Sequence, residues 1–135
     1  MSLKLAAALA LLAMATTTLT ADKPAPHKAN DQPQFLYRLQ VTRPAMLTSG
    51  STPQEAAAIA EHFNYLKDLT ARGVLILAGR TQNNDETTFG IVIFRAESEA
   101  AARAIMNADP SIVKGVQKAT LFPYRVALME GRPIP

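Results

Sequence analysis

Apolar and polar residues alternate from Phe35 to Thr42. Phe35, Tyr37, Leu39 and Val41 fall on one side, and Leu36, Arg38, Gln40 and Thr42 on the other. A period of two predicts a strand with one strongly apolar face and one mostly polar face. Arg43-Pro44 ends it, because proline has no amide proton for a ladder, and Met46 to Ser51 reads as a loop. The period then lengthens: Ile59, Phe63, Leu66 and Leu69 recur at helical spacing. Thr52-Pro53-Gln54-Glu55 opens that helix with a cap, a proline suited to the first helical position and the glutamate of a capping box. It runs to about Arg72, and Gly73 supplies the left-handed stop.

Val74 to Ala78 is a continuous apolar run, too short for a helix, and predicts a strand buried on both faces. Gln82 to Glu86 is a turn. Thr88 to Arg95 is the next strand, with Phe89, Ile91 and Ile93 on one face and Val92 and Phe94 on the other, beside Gly90. Glu97 to Ala108 forms a second helix capped near Ser98, with Ala101, Ala102, Ile105 and Met106 inward, and Asp109-Pro110 breaks it. A short turn over Ser111 to Gly115 leads to a last strand, Gln117 to Leu128, which Pro123 places at an edge or a bulge.

The order β-α-β-β-α-β, with right-handed crossovers, gives an α+β ferredoxin-like sheet carrying both helices on one face. Two of its strands are apolar on both faces, yet the helices cover only one side. The other side would show a contiguous Val, Ile and Phe patch, which soluble monomers rarely do. The simplest remedy is a second copy packed sheet against sheet, a homodimer. Arg38 and Gln40 would then line the space between the sheets or its mouth, as the polar groups of a small-molecule pocket.

The two ends of the chain differ from this middle. Residues 1–21 read as a secretory signal peptide: Lys4 is the positive region, Leu5 to Ala15 the apolar run, and Ala21 the small residue at the cut. The run is too short to cross a hydrocarbon core of ~30 Å comfortably, so no stable membrane anchor is expected after cleavage. Residues 22–34 hold three prolines and read as a flexible linker, residues 35–129 as the domain, and 130–135 as a tail. The expected location is the periplasm or outside the cell.

Composition then removes whole classes of chemistry. With no cysteine, thiol catalysis, disulfides, iron–sulfur clusters and thiolate zinc sites are excluded. There are two histidines, and His27 lies in the expected linker, so a multi-histidine metal site is excluded too. The formal charge of +3 falls to +2 without Lys4, and the basic residues are scattered, which is no footprint for nucleic acid. Gly79, Gly90 and Gly115 lack phosphate-loop spacing, and no serine-nucleophile motif is present. No metal and no cofactor are expected.

One constellation remains. His62 lies inside the apolar stripe, between Leu66 and Leu69 on the helical wheel, and a buried imidazole needs a hydrogen-bond partner. It is either a core histidine satisfied by a carbonyl or water, or a base near neutrality oriented by a carboxylate. Asp109 is the best candidate carboxylate, ending the second helix on the same side of the sheet. It is equally a cap for the short turn behind it, and one carboxylate can do both. Tyr65 flanks His62, and Arg43 and Arg80 each end a strand. Arg38, Tyr65 and Arg80 are the candidate substrate-binding residues.

From Phe35 to Leu128 the chain resembles the YciI-like (YCII-related) proteins. The matching pieces are EHFNYLKDL with His62, GVLILAGRT, TFGIVIFRA, and ADPSIVKGV followed by a strand ending FPYRVAL. The resemblance implies a dimeric α/β barrel of ferredoxin-like protomers and an active site on a His–Asp pair, here His62 and Asp109. Relatives include a dehydrochlorinase of a chlorinated hydroxyquinol, and muconolactone isomerases share the barrel. They imply cofactor-independent lyase or isomerase chemistry on a small aromatic or lactone substrate. The alternatives are a non-catalytic dimer that binds a small ligand or another protein, and a cofactor-free monooxygenase. The signal peptide and the long 44–52 loop depart from typical members.

Overall fold

The computed structural model describes residues 32–131. The expected signal peptide, most of the expected linker and the last four residues of the tail lie outside the described residues. The elements are β1 (Gln34–Val41), α1 (Ala45–Thr48), α2 (Pro53–Ala71), β2 (Leu75–Arg80), β3 (Gly90–Arg95), α3 (Glu99–Asn107), α4 (Pro110–Val113) and β4 (Gln117–Tyr124). The sheet order is β2-β3-β1-β4, with every neighbouring pair antiparallel. This is the ferredoxin-like α+β arrangement that the element order predicts. No helix among the described residues is long and apolar enough to cross a membrane.

The alternation in β1 sorts the sheet into its two faces. Tyr37 stands opposite Val92 on one side and Leu121 on the other. Phe35, Tyr37, Leu39, Val92 and Phe94 form one buried cluster with Leu66 and Leu69 of α2 and Ala102 and Met106 of α3. Both long helices therefore close over the same face. Burying an aromatic or branched side chain of this kind stabilises by ~1.5–3 kcal/mol each, so this face is where the fold is held.

Helix α2 begins as its sequence dictates. The Thr52 hydroxyl accepts from the Glu55 amide at 3.2 Å, and Glu55 Oε2 accepts from the Thr52 amide at 2.7 Å. Arg43 grips the same carboxylate, with Nε 2.7 Å from Oε1 and Nη2 2.5 Å from Oε2, and also donates to the Gly50 carbonyl. Arg43 is thus a structural clasp between the end of β1 and α2. Its side-chain bonds, the largest influence, hold the Glu55 carboxyl down at about 2.

Five details differ from the sequence expectations. The stretch after Pro44 is not all loop: Ala45–Thr48 makes one helical turn, for which proline's fixed φ is suited. Strand β2 is not buried on both faces. It is the edge of the sheet, and Leu77 is 48% exposed because no layer among the described residues covers its far face. Phe63 is not inward: it is 61% exposed, with the Lys67 ammonium 5.1 Å from its ring centroid. The last strand stops at Tyr124 rather than Leu128, and Pro123 sits in edge strand β4 where a missing amide is tolerated. The sheet also reaches back one residue further, to Gln34 of the expected linker.

Candidate functional site

Asp109 is the organising group. It has non-helical backbone angles and caps α4, its Oδ1 accepting from the Ser111 amide at 3.0 Å, while Pro110 takes the first helical position. The choice between cap and site residue therefore resolves as both. The Ser111 hydroxyl donates to the same Oδ1 at 2.8 Å, and the Tyr37 hydroxyl donates to Oδ2 at 2.9 Å. His62 Nδ1 lies 2.7 Å from Oδ2 and 2.9 Å from Oδ1. Asp109, Tyr37 and Ser111 are each 0% exposed, and the His62 side chain is 13% exposed.

A carboxylate accepts about four hydrogen bonds, and this one receives donors from β1, α2 and α4. Burial alone would push the Asp109 carboxyl up. The hydrogen bond and charge of His62 and the two Ser111 donors oppose that, and its net pKa lies below the ordinary aspartate value. Burial, and then Asp109 itself, push the Tyr37 phenol far above its usual range, so it stays a donor. With Asp109 ionised, the proton of a neutral His62 ring belongs on Nδ1. Nε2, on the opposite edge of the ring, has no hydrogen-bond partner among the described residues.

His62 also lines a cavity of about 470 Å³ between α2 and the end of the sheet where β1 and β2 finish. Its walls are mostly apolar, including Leu39, Leu47, Ile59 and Leu66, with Met46 and Ser51 contributed by the 44–52 segment. Gly90 pairs with both Leu39 and Arg80, and the lack of a side chain there leaves the sheet-side wall low. Among the lining residues Arg80 carries the one guanidinium, and no lysine is present. Its guanidinium donates to the Thr81 and Asn83 carbonyls, not to a carboxylate. Gln117 lines the cavity as well, and its buried Oε1 has no hydrogen-bond partner among the described residues.

Of the residues the sequence singles out, the structure brings His62 and Asp109 into direct contact and sets Arg80 on the cavity wall. Arg38 and Tyr65 are elsewhere. Arg38 projects from the bare face of the sheet and reaches Gln40 Oε1 at 3.4 Å. The Tyr65 hydroxyl turns to the Ile105 carbonyl at 2.8 Å, tying α2 to α3. Sequence alone missed Tyr37, Ser111 and Gln117. A tyrosine on the apolar face of a strand reads as core, and its partner is 72 residues away. The Asp-Pro-Ser triplet was the available signal for Ser111, since a cap aspartate bonds two residues ahead. Among the described residues no group of three or more His, Cys, Asp or Glu gathers to hold a metal.

The fold is shared with 5-chloro-2-hydroxyhydroquinone dehydrochlorinase (TftG) from Burkholderia phenoliruptrix AC1100, solved with 2,5-dihydroxybenzoquinone. It is 21% identical, with a TM-score of 0.51 over 68% of this chain and 93% of that one. SnoaB, a cofactor-independent oxygenase from Streptomyces nogalater, matches more loosely. It has a TM-score of 0.37 at 19% identity, over 74% of this chain and 99% of that one. No curated protein matches the chain. The model of the YCII-related domain matches residues 29–125. That match spans the whole sheet, both long helices and the His62–Asp109 contact, and the chain belongs to the YCII-related domain family.

Proposed function

We propose that the chain is a cofactor-independent lyase or isomerase in which His62 moves a proton on a small, hydroxylated substrate. One observation carries this: a buried, fully bonded carboxylate holds Nδ1 of an imidazole whose other nitrogen is free at an apolar cavity. Nε2 takes a proton from a substrate carbon. The electron pair left behind moves onto a substrate oxygen, where the Arg80 guanidinium offsets the charge. Asp109 stabilises the imidazolium without itself taking the proton. The imidazolium then returns the proton to a different carbon in an isomerisation, or to a departing group in an elimination. A positioned base of this kind contributes ~10²–10⁴-fold. The unpartnered Gln117 Oε1 accepts from a substrate hydroxyl.

Two further parts belong to this reading. The functional unit is a homodimer through the bare face of the sheet, supported by the exposure of Leu77, Phe122 and Tyr124 there. The chain is exported, supported by the pattern of residues 1–21. Mass spectrometry of protein from the cell envelope then gives an N-terminus near Asp22, and a full-length cytoplasmic chain would contradict this.

The test of function is a thermal-shift screen against small phenols and lactones, followed by incubation of each bound compound in heavy water. Deuterium entering a substrate carbon, and lost in His62→Ala, supports proton transfer. Binding without exchange makes the protein a small-ligand-binding dimer instead.

A further inference from the structure

We propose that Tyr37 and Ser111 are positioning residues that clamp the Asp109 carboxylate and thereby hold His62 as its Nδ1–H tautomer. The proposal deepens the reading of His62 as the base and rests on it. The donors reach the carboxylate from different parts of the fold. Tyr37 comes from the centre of the sheet and occupies Oδ2. Ser111 comes from the first turn of α4 and occupies Oδ1 twice, through its amide and its hydroxyl. His62 comes from α2 and is shared between the two oxygens.

The clamp is itself immobile. The Tyr37 ring is fully buried and meets Phe94 edge-on, with centroids 5.6 Å apart. The Ser111 amide bond is the helix cap, so the carboxylate cannot turn without uncapping α4. Both oxygens are therefore fixed, and the plane of the carboxylate with them.

The consequence is chemical. An unconstrained neutral imidazole favours the Nε2–H form, which would put a proton, not a lone pair, toward the cavity. An acceptor fixed at Nδ1 reverses that preference. The other ionisable groups nearby do not share this task. Tyr65 of α2 donates to a backbone carbonyl, and Arg80 of β2 is bonded to carbonyls. Glu61 and Lys114 pair with each other at 2.5 Å on the surface.

The test is nitrogen-15 spectroscopy of the histidine rings in the full chain at a pH where the ring is neutral. His27 is the one other histidine and is identified by His27→Ala. The unaltered protein gives the Nδ1–H pattern for His62. Tyr37→Phe keeps the ring packing, and Ser111→Ala is an independent route to the same loss should the first variant not fold. With one anchoring bond gone the carboxylate can turn away from Nδ1, and the Nε2–H fraction of His62 rises measurably in either variant. Asp109→Asn reverses the preference. Folded Tyr37→Phe and Ser111→Ala that both keep the unaltered tautomer would overturn the clamp alone. An unaltered protein already in the Nε2–H form would overturn the base reading, and the clamp with it.

Discussion

The two faces of the sheet are built from the same four strands and end differently. On the helix side, Tyr37, Val92 and Phe94 are at most 1% exposed, and the two long helices complete their packing. On the other side Leu36 faces Ile93 and Phe122, and Leu77 faces Ile93, a shorter apolar strip. Yet Phe122 and Tyr124 are 42% and 43% exposed. One face is finished by α2 and α3, and the other mixes an apolar strip with Arg38, Gln40, Lys118 and Thr120 and carries no helix among the described residues. The contrast teaches that two-sided apolarity in a sequence does not by itself mean burial on both faces: Leu77 and Phe122 stay 48% and 42% exposed. The site follows the finished face: Asp109, Tyr37 and His62 all lie on the helix side, where the donors around Asp109 offset the cost of burying its carboxylate.

The largest effect that separates the faces is in the core. Phe94→Ala removes an aromatic ring from the finished side and costs ~3–5 kcal/mol, read by chemical denaturation. A loss below about 1 kcal/mol would mean that this face is not where the fold is held.

Phe122→Asp strikes the bare side. It leaves the circular dichroism spectrum of the fold in place and converts the assembly to monomers in sedimentation at micromolar concentration. Unchanged sedimentation of a dimer would move the interface elsewhere, and a monomeric unaltered protein would remove it.

Acid gives a smaller and graded effect. The folded Asp109 carboxyl has a pKa below its ordinary value of 3.8. A depressed carboxylate contributes stability that is complete above its unfolded value and is lost as the pH falls through the folded one. Stability thus declines below about pH 4. Glu55, lowered from 4.5 to about 2, adds a loss of the same sign between those values. Asp109→Asn shallows the slope of urea midpoint against pH without removing the Glu55 part. An identical slope would show that the carboxylate does not discriminate between the folded and unfolded chains.

Gly90→Ala is the mildest. A Cβ there meets Gly79 O at 3.5 Å and Leu39 Cβ at 3.6 Å, which is ordinary contact, and its backbone is not in the left-handed region. Stability changes by less than about 1 kcal/mol, while the added methyl weakens binding of a ring-sized ligand in the cavity. Unchanged binding would place the ligand away from the sheet side of the cavity.

Much of this architecture could be read from the chain. Alternation in Phe35–Thr42 named the correct inward residues, and Thr52-Pro53-Gln54-Glu55 located the start of α2 to the residue. Both signals are local, set by side chains within a few positions of each other. The misplaced features depend on distant parts of the chain. Val74–Ala78 is apolar enough for a central strand, and only the strand order makes it an edge. Phe63 has stripe spacing, but it stands at the cavity with its ring exposed beside Lys67, not in the core. At the site, His62 was conspicuous because an imidazole is out of place in an apolar stripe. Tyr37 was not, because its ring belongs in the core and only its hydroxyl carries the site chemistry.

The central claim is that His62 and Asp109 act as one unit on a bound substrate. The most direct measurement is turnover of a phenol and lactone panel by the unaltered protein, His62→Ala, Asp109→Asn and the double variant. The two singles each lose at least ~10²-fold, and the double is little worse than either, because members of one unit are not additive. A His62→Ala protein that turns over as fast as the unaltered one, or losses that multiply in the double variant, would contradict it.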